Sequence, residues 1–166
     1  MKTTIAMLAI SLLMLTSAQA TSTVGNEGHK SISIEVVTKV FEELGYNASE
    51  HLDESGDPHL TIENRPDYSD GFAVFFNDCG VAGCEEMTLY LDFGTNDKLT
   101  LETLNDWNHI SSGFRSTAFM SGDLKNGRAG LKLHLSMYSD EDVKEMTLIT
   151  GLFIIEGELF NEALQQ

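Results

Sequence analysis

Basic residues are scarce in this chain. Ten Lys and Arg stand against 26 Asp and Glu, for a formal net charge of −16. Such a surface repels nucleic-acid phosphates and anionic lipid head groups, because both are held through basic contacts. Nucleic acid is therefore excluded as a partner, while cationic partners or loosely bound divalent ions remain compatible with plain solubility. Cysteine is scarcer still, with Cys79 and Cys84 alone. A structural zinc site wants four Cys or His ligands, commonly in two close pairs. No second pair exists, and His29, His51, His59, His109 and His134 are scattered. Also missing are a GxSxG nucleophile elbow, a glycine-rich phosphate loop opening a helix and any long internal repeat. The acidic group Asp53, Glu54 and Asp57 lacks the spacing of a calcium-binding loop and reads as a solvated turn. No catalytic residue, metal site or cofactor is expected.

The chain opens "MKTTIAMLAISLLMLTSAQA". Lys2 supplies a positive start, Ile5 to Leu15 an apolar core, and Ala18-Gln19-Ala20 a small-x-small cleavage site. This layout predicts a secretory signal peptide over residues 1–20, cut after Ala20. The apolar run falls short of the ~20 residues that span a bilayer, so no stable membrane anchor is expected after cleavage. Residues 21–30, "TSTVGNEGHK", read as a flexible leader, and 31–166 as one domain with a single core. The expected location is periplasmic or secreted.

Export bears on the cysteines, since disulfides persist in oxidising compartments. A thioredoxin-like centre has two residues between its cysteines, whereas four separate Cys79 from Cys84. The pair therefore reads as a structural disulfide, with a labile regulatory bridge as the alternative. The closed loop is small, so its chain-entropy gain is about 2 kcal/mol. Strand-like segments flank it, and Gly80 and Gly83 suit the turn between them. A bridge there pins the register of a hairpin.

Hydrophobic periodicity supplies the remaining elements. Ile34, Val37, Phe41 and Leu44 share a helical face, predicting a helix over 32–44 capped by Gly45. "HLDESGDPHL" (51–60) reads as a turn. "HLTIENR", "GFAVFFND" and "EMTLYLDF" alternate with period two and predict three half-buried strands. "DKLTLETLNDWNHISS" predicts a second helix carrying Leu101, Leu104, Trp107 and Ile110. Two more strands follow in "RSTAFMS" and "GLKLHLSM", joined by a turn containing Asn126-Gly127. A last helix starts at Ser139, with Asp142 completing an approximate capping box. Met146, Ile149, Phe153, Phe160 and Leu164 form its apolar stripe, which Leu152, Ile155 and Leu159 broaden. So wide a stripe predicts deep packing or, alternatively, a second contact surface such as a homodimer interface. The order αβββαββα points to an α+β fold, with helices packed on an antiparallel sheet.

Three further segments carry a resemblance. "CGVAGC" (79–84) between two strands, "LNDWN" (104–108), and "FRSTAF" (114–119) leading into a hairpin resemble the YbjN family, described as bacterial sensory transduction regulators. The likeness runs from about Ser31 to Leu164 and includes an exported branch with a two-cysteine loop. It implies a fold similar to type III secretion chaperones, which bind through helix and sheet surfaces and often pair as dimers. It also implies a non-enzymatic role with a protein or peptide partner, in envelope signalling or stress regulation. Trp107, Asn108, Phe153 and Phe160 are the candidate partner-binding residues. The alternative function is a periplasmic redox or hydrolytic enzyme, or a weak divalent-cation binder.

Overall fold

A computed structural model of the protein describes residues 31–166, except residues 82, 110–111, 123–126 and 137–142. The expected signal peptide and leader, His29, Ile110, Asn126, and the Ser139/Asp142 capping box lie outside the described residues.

Ser33 caps α1 (Ile34–Glu43), its hydroxyl accepting the Val36 N–H at 3.2 Å. The helix ends where Gly45 turns left-handed, at φ +84°. There the Tyr46 N–H reaches the Phe41 carbonyl at 2.8 Å, and the Gly45 N–H the Glu42 carbonyl at 3.0 Å. The Tyr46 ring meets that of Phe41 edge-on, 6.5 Å between centres, which seals the cap with an apolar contact. α1 buries Val37, Val40 and Phe41.

Six antiparallel strands follow the spatial order β1-β2-β3-β4-β6-β5. They are β1 (Ala48–Leu52), β2 (Pro58–Ile62), β3 (Gly71–Gly80), β4 (Gly83–Thr95), β5 (Thr117–Ser121) and β6 (Arg128–Ser136). α2 (Leu101–Trp107) lies between β4 and β5, and α3 (Val143–Gln165) closes the chain. The expected α+β class stands, and the expected element order holds with one further strand, β1, ahead of the other three.

Two local differences have clear physical reasons. The stretch expected to be a turn over 51–60 is mostly hairpin, with His51 opposite His59 and Leu52 opposite Pro58. Only its tip turns, where the Asp53 carboxylate accepts the N–H groups of Ser55 and Asp57 at 2.8 and 2.9 Å. β1 is an edge strand with no buried residue, so it carries no apolar alternation to read. The second helix is shorter than the segment expected to form it: Thr100 sets its start by accepting the Thr103 N–H at 3.1 Å, and it ends at Trp107, where Asn108 turns its side chain to β5.

One face of the sheet buries Leu60, Phe72, Val74, Phe76, Met87, Leu89, Leu91, Leu131 and Leu133 against the helices. Each such side chain contributes about 1.5–3 kcal/mol by leaving water. α3 supplies Met146, Phe153, Phe160 and Leu164 to this core. It lies so close to β4 that a Cβ at Gly157 would stand 2.6 Å from Leu91 Cδ1.

At the far end of the β3–β4 hairpin, Cys79 and Cys84 are register partners joined by a disulfide. Cys84 also exchanges two backbone hydrogen bonds with Ile32, at 2.9 and 3.0 Å. The bridge thus holds the hairpin to the segment that enters α1.

Candidate partner-binding surfaces

The four residues expected to meet a partner occupy structural positions. Phe153 and Phe160 are 1% and 0% exposed. Trp107 is buried, stacked on Phe114 at 3.8 Å between centres and edge-on to Phe160 at 4.9 Å. Asn108 acts as a fragment of strand. Its amide donates to the Ala118 carbonyl and accepts the Ala118 N–H, both at 2.8 Å, which fastens the end of α2 to β5. Of the four, Trp107 also lines a cleft open to solvent.

That cleft, of about 490 Å³, lies between α2 and α3. Trp107, Phe114, Leu159 and Ala163 give it apolar walls, and Glu102 and Asp106 add carboxylates. The Trp107 Nε1 is buried without a hydrogen-bond partner among the described residues. On α3, Glu156 accepts the N–H groups of Arg115 and Ser116 at 3.0 and 2.9 Å. This carboxylate clamps the loop carrying Phe114 onto α3, so the cleft has a fixed wall.

Leu159, in the wall of the cleft, also belongs to the outer side of α3. Met146, Thr150, Phe153, Gly157, Phe160 and Leu164 face inward at alternating four- and three-residue steps. Leu148, Leu152, Ile155 and Leu159 repeat that spacing two residues later, about 200° round the helix at 3.6 residues per turn. They are 63%, 37%, 55% and 41% exposed. One helix is thus apolar on opposite sides, and the described residues cover only one of them. Glu145, Glu158 and Glu162 are exposed on the same helix. The broad stripe was visible in the sequence, but its division into two faces was not.

The outer side of the sheet carries a row of rings. His51, His59, Phe75, Tyr90 and Phe119 follow one another across it at 5.5, 5.8, 6.0 and 5.4 Å between centres. Lys132 Nζ lies 5.8 Å from the Phe119 ring centre. Burial, and then the Asp92 charge, push the Tyr90 hydroxyl pKa up against a lowering by Arg128. Arg128 holds Asp92 at 2.9 Å and Asp70 at 3.2 Å, and its own pKa is raised, chiefly by the Asp92 hydrogen bond. His134 shares a 3.1 Å hydrogen bond with Thr88 and lies 3.7 Å from Glu86.

Both cysteines are in the disulfide. Among the described residues no helix is long and apolar enough to cross a membrane.

Comparison with solved structures finds a matching fold. The chain is similar to the crystal structure of YbjN from E. coli, described as "a putative transcription regulator", at 12% identity and a TM-score of 0.52. The match covers 80% of this chain and 89% of that one. At that identity it shows a YbjN-like fold and nothing finer. No family model and no curated protein matches the sequence.

Proposed function

We propose that this is an exported, non-enzymatic YbjN-like protein that holds an amphipathic, basic-flanked helix of a partner protein, in envelope signalling or stress regulation. The observation that carries the reading is the second apolar face of α3, uncovered among the described residues. An exposed contiguous apolar strip marks an interaction surface more often than chance. A partner helix laid along it presents anchors at matching three- and four-residue steps. Its end anchor enters the cleft beside Trp107 and Phe114.

Charge selects the occupant. Glu145, Glu158 and Glu162 accompany the strip, and Glu102 and Asp106 line the cleft. Basic residues flanking the partner's apolar face complement them. A second copy of this chain would bring like charges together, in a protein of net charge −16. The signal-peptide layout and the disulfide support export, since both fit an oxidising compartment. The YbjN-like fold supports kinship with that family.

The sole tryptophan lines the cleft and serves as the reporter. A synthetic helix with Leu at these spacings and Lys flanks should shift Trp107 emission saturably, and a Glu-flanked twin should not. Binding should weaken as salt rises. Equal binding of both peptides, or sedimentation showing a dimer that Leu152→Asp dissolves, would assign the strip to something else.

A further inference from the structure

We propose that His51 and His59 form an open two-histidine site for a late transition-metal ion, zinc or copper, on the outer face of the sheet. The two are register partners on β1 and β2. Residues directly opposite each other in an antiparallel pair share a face. Here it is the outer one, because Leu60 and Ile62, which alternate with His59 and Thr61, are buried on the other.

The geometry suits chelation. The ring centres are 5.5 Å apart, tilted by 33°. With metal–nitrogen bonds of about 2.0–2.1 Å, two imidazoles on one tetrahedral ion have centres roughly 5 Å apart. The ring centres thus already stand at about the spacing that a shared ion sets. The ring of His59 is already held, stacked on Phe75 at 5.8 Å and 23°. His51 is exposed and leaves the approach open.

A second observation points to a ligand. The Nδ1 of His59 is buried and has no hydrogen-bond partner among the described residues. Such an atom forfeits its hydration without compensation. In the tautomer that leaves this nitrogen unprotonated, an ion shared with His51 gives it the partner that it lacks. Imidazole suits zinc and copper, and copper is the tighter of the two at a given nitrogen site. Among the described residues no group of three or more His, Cys, Asp or Glu is placed to hold a metal. The pair thus leaves coordination positions for water or an outside ligand, unlike a closed structural zinc site.

The full chain is titrated with Zn²⁺, and separately with Cu²⁺, by calorimetry, with imidazole NMR for zinc and electron paramagnetic resonance for copper. The expected result is one ion per chain in the micromolar range, copper tighter than zinc, with signals assigned to both rings. His51→Ala, on an exposed edge strand, should weaken binding roughly tenfold or more, as should His59→Gln. His134→Gln should leave it unchanged. If His59→Gln fails to fold, His51→Ala decides alone. Absence of saturable binding below millimolar ion overturns the site. So does affinity unchanged in His51→Ala, which marks diffuse binding to the carboxylates. No residue of α3 or its cleft takes part, so this outcome is independent of the partner helix.

Discussion

The inner and outer faces of α3 carry similar side chains in different surroundings. Inward, Met146, Phe153, Phe160 and Leu164 are buried against the sheet. Outward, Leu148, Leu152, Ile155 and Leu159 meet solvent. Apolar burial drives folding only where a surface opposes it, so the same chemistry stabilises the domain on one side and awaits an occupant on the other. The contrast teaches that the width of a hydrophobic stripe reports how many surfaces a helix meets, not how deeply it is buried. It also separates the consequences of substitution, since the inner face should answer in stability and the outer face in binding.

The sharpest test is Phe153→Ala. Removing a fully buried ring should destabilise the protein by about 3–5 kcal/mol, read as a shifted urea midpoint at unchanged slope. A loss under 1 kcal/mol would mean that the inner face is not the core. Gly157→Ala comes next. Its added methyl would stand 2.6 Å from Leu91 Cδ1 and 3.0 Å from the Tyr68 hydroxyl oxygen. Overpacking of this kind costs about 1–3 kcal/mol, so the variant should unfold at lower urea while keeping its helix content.

Much of the fold was legible in advance, the division of α3 into two faces was not, and what escaped has physical causes. Strands β2, β3, β4 and β6 announce themselves because each buries one face, which writes alternation into the sequence. β1 writes none, since Ser49, Glu50 and His51 pair on an edge without burying a side chain. The Cys79–Cys84 pairing followed from compartment and spacing, and the structure contains it. The partner-binding candidates came from the Trp107-Asn108 pair and the apolar stripe of the last helix, and large aromatic side chains are what cores take up. Trp107, Phe153 and Phe160 are large, and all three are buried. The smaller aliphatic residues beside them in sequence are the exposed ones. The His51–His59 pair needed a strand register that the missed edge strand alone could provide.

Tyr68 joins the two faces at their side, and it sharpens the comparison through pH. Its hydroxyl donates to the Ile154 carbonyl of α3 at 2.6 Å. Burial first, then Tyr46 and Glu158, push its pKa well above the usual tyrosine value of 10.0. A raised pKa means that the folded state holds this proton more tightly than the unfolded chain does. The resulting stability is present in full below the unfolded value of about 10 and is lost as pH rises towards the folded one. Thermal melts should therefore show an alkaline decline beginning near pH 10, to which Tyr46 and Tyr90, both raised by burial, add smaller parts. Tyr68→Phe should cost about 1 kcal/mol at neutral pH for the lost hydrogen bond and flatten the alkaline decline. An unchanged slope would remove Tyr68 as its source.

The smallest effect on stability is expected at Ile155→Asp, and it is the most informative. Ile155 is 55% exposed, with no described residue covering the outer side of the helix there. Substitutions at such positions usually stay within about 0.5 kcal/mol, so the urea midpoint should hardly move. The Lys-flanked helix should nevertheless lose affinity roughly tenfold or more, because a carboxylate would then have to be desolvated at the centre of the contact. Phe153→Ala, two residues away, should show the reverse among molecules that remain folded: weakened stability with peptide affinity largely kept. If both substitutions instead lower stability alike, the outer face is covered from within the chain, and the distinction between the two sides of α3 disappears.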